Sequence, residues 1–128
     1  MPAMLSSPSD HPGELIERIR AAAADRTPLR LQGGGTKAFL AEPAPGSLLS
    51  TTGYAGIISH EPSELVVTVK AGTPLAELES VLAAAGQSLA FEPPHFGPGA
   101  TVGGAVAAGL AGPARAAVGG ARDYVLGV

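Results

Sequence analysis

Gln32-Gly33-Gly34-Gly35-Thr36-Lys37 follows directly on the short apolar segment Leu29-Arg30-Leu31, and how this junction is read decides the fold. Glycine has no Cβ and tolerates positive φ. Three in succession therefore let the backbone turn sharply and bring its N–H groups within hydrogen-bonding distance of something bulky. Such a concavity favours anions, and the Thr36 hydroxyl and Lys37 ammonium suit phosphate or pyrophosphate better than a neutral ligand. The plain alternative is a flexible surface turn. A Walker loop, G-x-x-x-x-G-K-[ST], does not match this spacing. Gly33, Gly35 and Ala38 do match G-x-G-x-x-[GA] after an expected strand. However, Phe39 to Glu42 allows barely one turn before Pro43 and Pro45, so the helix of a dinucleotide fold is missing.

Outward from this loop, the chain alternates helical and extended patterns. Leu15, Ile16, Ile19, Ala22 and Ala23 fall at helical spacing, with Asp10 and Pro12 suited to the start and Thr27-Pro28 forcing the stop. This helix is expected to pack on a sheet. Leu29 to Gln32 reads as the first strand. After the proline-rich connection Ala41 to Gly46, Leu48–Thr52 and Ile57–His60 read as two short strands. Leu65-Val66-Val67-Thr68-Val69, β-branched and apolar on both faces, is expected at the centre of the sheet. Thr73 then caps a helix with Pro74 at its first position, Leu75, Leu78, Val81, Leu82 and Ala85 along one face, and Gly86 at its end. A further strand is expected over Ser88–Phe91. The pattern is α+β, with the helices interleaved.

Composition narrows the function. At 128 residues, with 45% apolar and 15% charged, the chain is one domain or part of one and is able to form a core. A net charge of −3 and eight scattered Lys and Arg leave no basic stripe for nucleic acid and no polybasic helix for a membrane surface. The absence of cysteine excludes disulfides, iron–sulfur ligation and thiolate zinc within the chain, and His11, His60 and His95 lack metal-ligand spacing. Residues 100–118 are apolar but interrupted by four glycines' worth of breaks, by Pro113 and by Arg115, and do not read as a membrane span. Met1 to Ser9 reads as a disordered tail without the features of a signal peptide. Glycine and proline are abundant (18 and 12) and aromatics few (4%), as in a core of small aliphatics with a cofactor lodged among loops.

A second glycine cluster carries as much information as the first. Thr101 is placed to cap a short helix in which Val102, Val106 and Leu110 form one stripe and Gly104, Ala108 and Ala111 a flat one beside it. A helix start has free N–H groups and partial positive charge, so Thr101 to Gly104 is a second candidate for cofactor contact. The alternative is that the small residues serve only close packing.

Taken in order, the blocks Gln32-Gly33-Gly34-Gly35-Thr36-Lys37, Glu92-Pro93-Pro94-His95-Phe96-Gly97, Ala100-Thr101-Val102-Gly103-Gly104 and Arg122-Asp123-Tyr124-Val125-Leu126-Gly127 resemble the FAD-binding domain of the vanillyl-alcohol oxidase and p-cresol methylhydroxylase family. Within it they are most similar to the FAD-binding subunits of bacterial glycolate oxidases. The segments at residues 52–58, 60–65 and 109–113 extend the resemblance over about Glu14 to Val128.

The resemblance implies an α+β FAD-binding domain of the p-cresol methylhydroxylase type, its first lobe plus the start of the second. Residues 1–10 would be a disordered tail and residues 11–128 the domain, incomplete at its C-terminal end, where Tyr124 to Val128 would be a strand opening the missing lobe. The first glycine loop would hold the FAD pyrophosphate and the Thr101 region would line the flavin side. The candidate cofactor-binding residues are Gln32, Gly33, Gly34, Gly35, Thr36, Lys37, Pro94, His95, Thr101, Gly103, Gly104 and Ala107. His95 reads as a structural hydrogen bonder rather than a base, and no residue is assigned a catalytic or metal role. The implied activity is oxidation of the 2-hydroxy acid glycolate to glyoxylate on FAD. Electrons would leave through a partner iron–sulfur subunit, beside a sibling flavoprotein subunit. The place would be cytoplasmic, or peripheral at the inner membrane through those partners. A reading from another class stays open at this point: a non-catalytic assembly module that keeps the flavin-domain shape and docks sibling subunits.

Overall fold

The computed structural model describes residues 12–128, so the expectations for the tail and for Asp10 lie outside the described residues. Helix α1 spans Gly13–Asp25 and stops before Thr27-Pro28, as its sequence requires. Arg26 turns into the left-handed region (φ 53°), and the Thr27 N–H returns to the Ala22 carbonyl at 2.9 Å. Its packing is lighter than expected. Ala22 is its one buried residue, Ile16 and Ile19 remain exposed, and the Arg18 guanidinium donates to the Leu48 carbonyl.

Strand β1, Leu29–Gln32, has the expected bounds and pairs in parallel with β2, Ser47–Ser50, Leu29 standing opposite Ser47 and Gln32 opposite Ser50. Parallel neighbours need a long crossover. Here it consists of the glycine loop, a single 3-10 turn at Ala38–Leu40 and the proline-rich run, so the loop leaves the C-terminal end of a parallel strand, where ligands of parallel sheets gather. The second strand stops earlier than Thr52. The Ser50 and Thr52 hydroxyls bond to each other at 2.9 Å and the Tyr54 N–H closes a turn on the Thr51 carbonyl.

Strands β3 (Ile57–Glu61) and β4 (Val66–Val69) form an antiparallel hairpin with an irregularity between Ile57 and Ser59. The expected central strand at Leu65–Val69 is corrected on two counts. Leu65 closes the hairpin turn at φ 58° and is 79% exposed, and β4 pairs with β3 alone among the described residues. β-branched composition favours an extended chain, but the number of neighbours is a tertiary matter.

Helix α2 spans Leu75–Ala84 and buries Leu75, Leu78 and Leu82, three of the five positions expected along its inner face. Thr73 does not cap it. Its hydroxyl donates toward the Lys70 carbonyl at 2.6 Å and accepts from the Gly56 N–H at 2.9 Å, tying β4 to the loop before β3, while Pro74 stands at the cap position. Residues 88–91 form no strand. They run irregularly into a turn that the Glu92 N–H closes on the Leu89 carbonyl at 3.1 Å. Helix α3, Val102–Ala108, follows, then a one-turn helix α4, Arg115–Val118, and a 3-10 turn at Ala121–Asp123. Tyr124–Val128 is not a strand either. The Tyr124 hydroxyl turns back to the Val118 carbonyl at 2.6 Å and its ring lies against Phe91.

Leu75, Ala100 and Ala105 form the central buried cluster, with Leu89 and Val102 against it. The core therefore joins the start of α2 to the second glycine cluster. Val106, on the Val102–Leu110 stripe of α3, is exposed, and Ala105 takes the inward position. No helix among the described residues is long and apolar enough to cross a membrane.

Candidate functional site

Both glycine loops lie at one place. A Cβ on Gly33 would stand 2.3 Å from Thr101 Oγ1, and a Cβ on Gly34 would stand 1.7 Å from the Gly99 carbonyl oxygen. Real Cβ atoms do not approach so closely, so the crossover after β1 touches the Gly99–Thr101 segment at backbone distance, which only glycine permits. In this first loop positive φ belongs to Gly35 (71°), beside the Gln32 side-chain amide. Gly34 is required for space, not for handedness.

The N–H groups of Gly33, Gly34, Gly35, Thr36 and Lys37 donate to no acceptor among the described residues. The loop's own bonds use its carbonyls: Gly35 accepts from the Ala38 N–H at 3.3 Å and Lys37 from the Leu40 N–H at 3.0 Å. Backbone donors in folded proteins are nearly always paired, with protein, water or ligand. Five in succession, the last of them on a lysine, form the kind of backbone surface that binds an anion.

The second cluster is the reverse. Thr101 is buried and caps α3 as its sequence predicts, Oγ1 accepting the Gly104 N–H at 3.1 Å. The Val102 N–H goes to the Thr73 carbonyl at 2.9 Å and the Gly103 N–H to the Ala71 carbonyl at 2.8 Å. The start of α3 therefore keeps no free N–H in its first three residues, and the expectation that it offers such groups to a cofactor is corrected. Gly103 is small because a Cβ there would lie 2.8 Å from the Ala71 carbonyl, and Gly104 because one would lie 3.0 Å from Thr101 Oγ1. Close packing accounts for both.

Among the other candidates, Ala107 lies on the exposed side of α3, away from buried Ala105. Pro94 and His95 are half-buried in the loop before Gly99, and His95 Nε2 lies 2.8 Å from Glu79 Oε2 on α2. Residues that the sequence did not single out complete the site. Phe39 and Phe96 meet edge to face, centroids 5.2 Å apart, joining the two loops, and both residues are more than half exposed. Gly99 forms the surface against which Gly34 rests. In so aromatic-poor a chain the two phenylalanines were the available signal, but nothing local says that they meet.

The model of one protein family, described as an FAD binding domain, matches residues 5–128. The chain belongs to this FAD-binding family. Its α+β architecture agrees with a partial domain of the p-cresol methylhydroxylase type, and the family's cofactor is FAD. Among curated proteins, the glycolate oxidase subunit GlcE of Escherichia coli (strain K12) is 48% identical over 118 residues, covering 92% of this chain. The chain spans 34% of that relative's length. No solved structure matches significantly. The residues present fit the cofactor: FAD carries a pyrophosphate, and the first glycine loop offers a run of N–H groups unpaired among the described residues, with the Thr36 and Lys37 side chains beside it.

Proposed function

We propose that this chain is the FAD-holding part of a subunit of a glycolate-oxidising complex. The observation that carries it is the run of five backbone donors in the Gly33–Lys37 loop that have no acceptor among the described residues, seated on the Gly99–Thr101 segment. Gly33, Gly34 and Gly35 would present N–H groups to the pyrophosphate, Thr36 a hydroxyl and Lys37 a charge. Thr101 and Gly99 would hold the loop from behind, and Gln32, beside Gly35, would fix its turn. Phe39 and Phe96 offer apolar surface next to it.

Bound FAD supplies the two-electron acceptor that oxidation of a 2-hydroxy acid to a 2-oxo acid requires. This chain's residues bind and orient, and none of them is proposed as the substrate base. The likeness to the Escherichia coli subunit supports glycolate as substrate and glyoxylate as product, and the name of that relative, a subunit, supports assembly with sibling subunits. An iron–sulfur subunit as the exit for electrons, and a cytoplasmic place, belong to the same proposal.

The test is the visible spectrum of the purified complete subunit, followed by glycolate-dependent dye reduction by the assembled complex. A colourless, well-folded subunit that takes up no FAD from solution would refute the cofactor reading, and a yellow one inert to glycolate in the complex would refute the substrate. Ligands of this size are held by enclosing about 70–90% of their surface, and the rings beside this loop are open. Residues 1–128 alone are therefore expected to bind FAD more weakly than the complete subunit in equilibrium dialysis, and equal affinities would overturn that expectation.

A further inference from the structure

The segment that backs the glycine loop is itself unusual. Between Glu92 and Gly99, positive φ occurs at Glu92 (49°), Phe96 (53°), Gly97 (114°) and Gly99 (92°). Left-handed backbone is unfavourable for residues that carry a Cβ, and it persists where surrounding structure imposes it. Yet residues 93–99 form no backbone–backbone hydrogen bond among the described residues. The turn is anchored before it starts, where the Gly112 N–H donates to the Phe91 carbonyl at 2.9 Å and the Ala114 N–H to Glu92 Oε1 at 2.9 Å. It is anchored again after it ends, where the Leu75 N–H donates to the Ala100 carbonyl at 2.8 Å. Within it, one hydrogen bond is made among the described residues, between His95 Nε2 and Glu79 Oε2 at 2.8 Å.

Glu79 stands on α2, whose inner face is fixed by buried Leu75, Leu78 and Leu82. A carboxylate on a rigid helix thus holds the middle of a loop with no bonds of its own. That loop carries the Phe96 ring to Phe39, just after the candidate pyrophosphate loop, and the Gly99 carbonyl to Gly34, beside the support that Thr101 gives Gly33. We infer that Glu79 is a positioning residue for the cofactor: through His95 it sets the 93–99 loop and, through that loop, the conformation in which Gly33–Lys37 present their N–H groups. The inference rests on the FAD reading above. The Glu79 carboxylate makes its one side-chain hydrogen bond among the described residues to His95, so it acts through that ring.

The experiment uses the complete subunit, with FAD affinity measured by flavin fluorescence well below the melting temperature of each apo variant. Exchange of the Gly33–Lys37 amides is followed with and without FAD. Wild type that binds no FAD defeats this inference together with the FAD reading, whereas wild type that binds tests the inference separately. Glu79→Ala and His95→Ala are each expected to weaken FAD by about fivefold, the size of a half-exposed hydrogen bond to a charged group. The double variant is expected to be no worse than the poorer single, because both remove one interaction. Glu79→Gln, which keeps an acceptor for the ring N–H, is expected to recover most of the affinity, and exposed Glu77→Ala on the same helix to change nothing. FAD protection of the Gly33–Lys37 amides should fall in Glu79→Ala. A lowered melting temperature with unchanged FAD affinity and unchanged loop protection would reduce Glu79 to a stabilising residue and overturn the inference, as would additive losses in the double variant.

Discussion

The two glycine clusters have similar sequences and opposite uses. In Gly33-Gly34-Gly35 the absent side chains let the backbone rest on Gly99 and Thr101, while the five N–H groups from Gly33 to Lys37 find no acceptor among the described residues. In Gly103-Gly104 they let a helix start sit against Ala71, and every N–H there is bonded to Thr73, Ala71 or Thr101. Glycine density alone therefore does not mark an anion site. What distinguishes the two is whether the donors that glycine exposes already have acceptors.

The strongest way to break that comparison is Gly34→Val. Its Cβ would meet the Gly99 carbonyl oxygen at 1.7 Å, a backbone atom and not the end of a flexible side chain that could yield. It should lose at least about 3 kcal/mol of stability and most FAD binding together. Denaturant melts and flavin content would check it, and a variant that keeps its stability would mean that the loops do not touch.

Gly103→Ala separates packing from binding. The added methyl meets the Ala71 carbonyl at 2.8 Å, so a loss of about 1–3 kcal/mol is expected by thermal melting. The folded variant should bind FAD as wild type does. A large drop in affinity at preserved stability would return the start of α3 to the cofactor site.

Thr101→Ala removes the acceptor of the Gly104 N–H and should cost about 1 kcal/mol, with Thr101→Ser keeping most of it. Equal melting temperatures for the two variants would deny the cap. The smallest effect is expected at Lys37, which has no ion pair among the described residues. Lys37→Ala should leave the melting temperature in place and weaken FAD about two- to fivefold, more at low salt than at high. Affinity unchanged at low salt would place the pyrophosphate elsewhere.

Much of the local structure was legible. Leu29–Gln32 follows a Thr-Pro stop and precedes glycines, and it is the first strand; Leu75, Leu78 and Leu82 recur at helical spacing, and they are buried; Thr101 stands before an apolar run, and it caps. Local signals misled where a residue's partner lies far along the chain. Thr73 has the look of a cap beside Pro74, but Gly56 and Lys70 hold its hydroxyl. Tyr124–Val128 has the apolar run of a strand, but no neighbouring strand pairs with it among the described residues, and its tyrosine bonds back to Val118.

By itself the sequence determined the helices, the first four strands, an α+β pattern and a family, because spacing, capping residues and glycine runs act within a few residues of one another. Only the tertiary structure decided which glycine cluster keeps free donors. The acceptors that occupy the second cluster, on Ala71 and Thr73, approach it across the fold, and no acceptor among the described residues reaches the first. It also brought Glu79 to His95 and Phe39 to Phe96. Such pairings depend on where rigid elements carry their side chains, and that is fixed by packing rather than by neighbours in the chain.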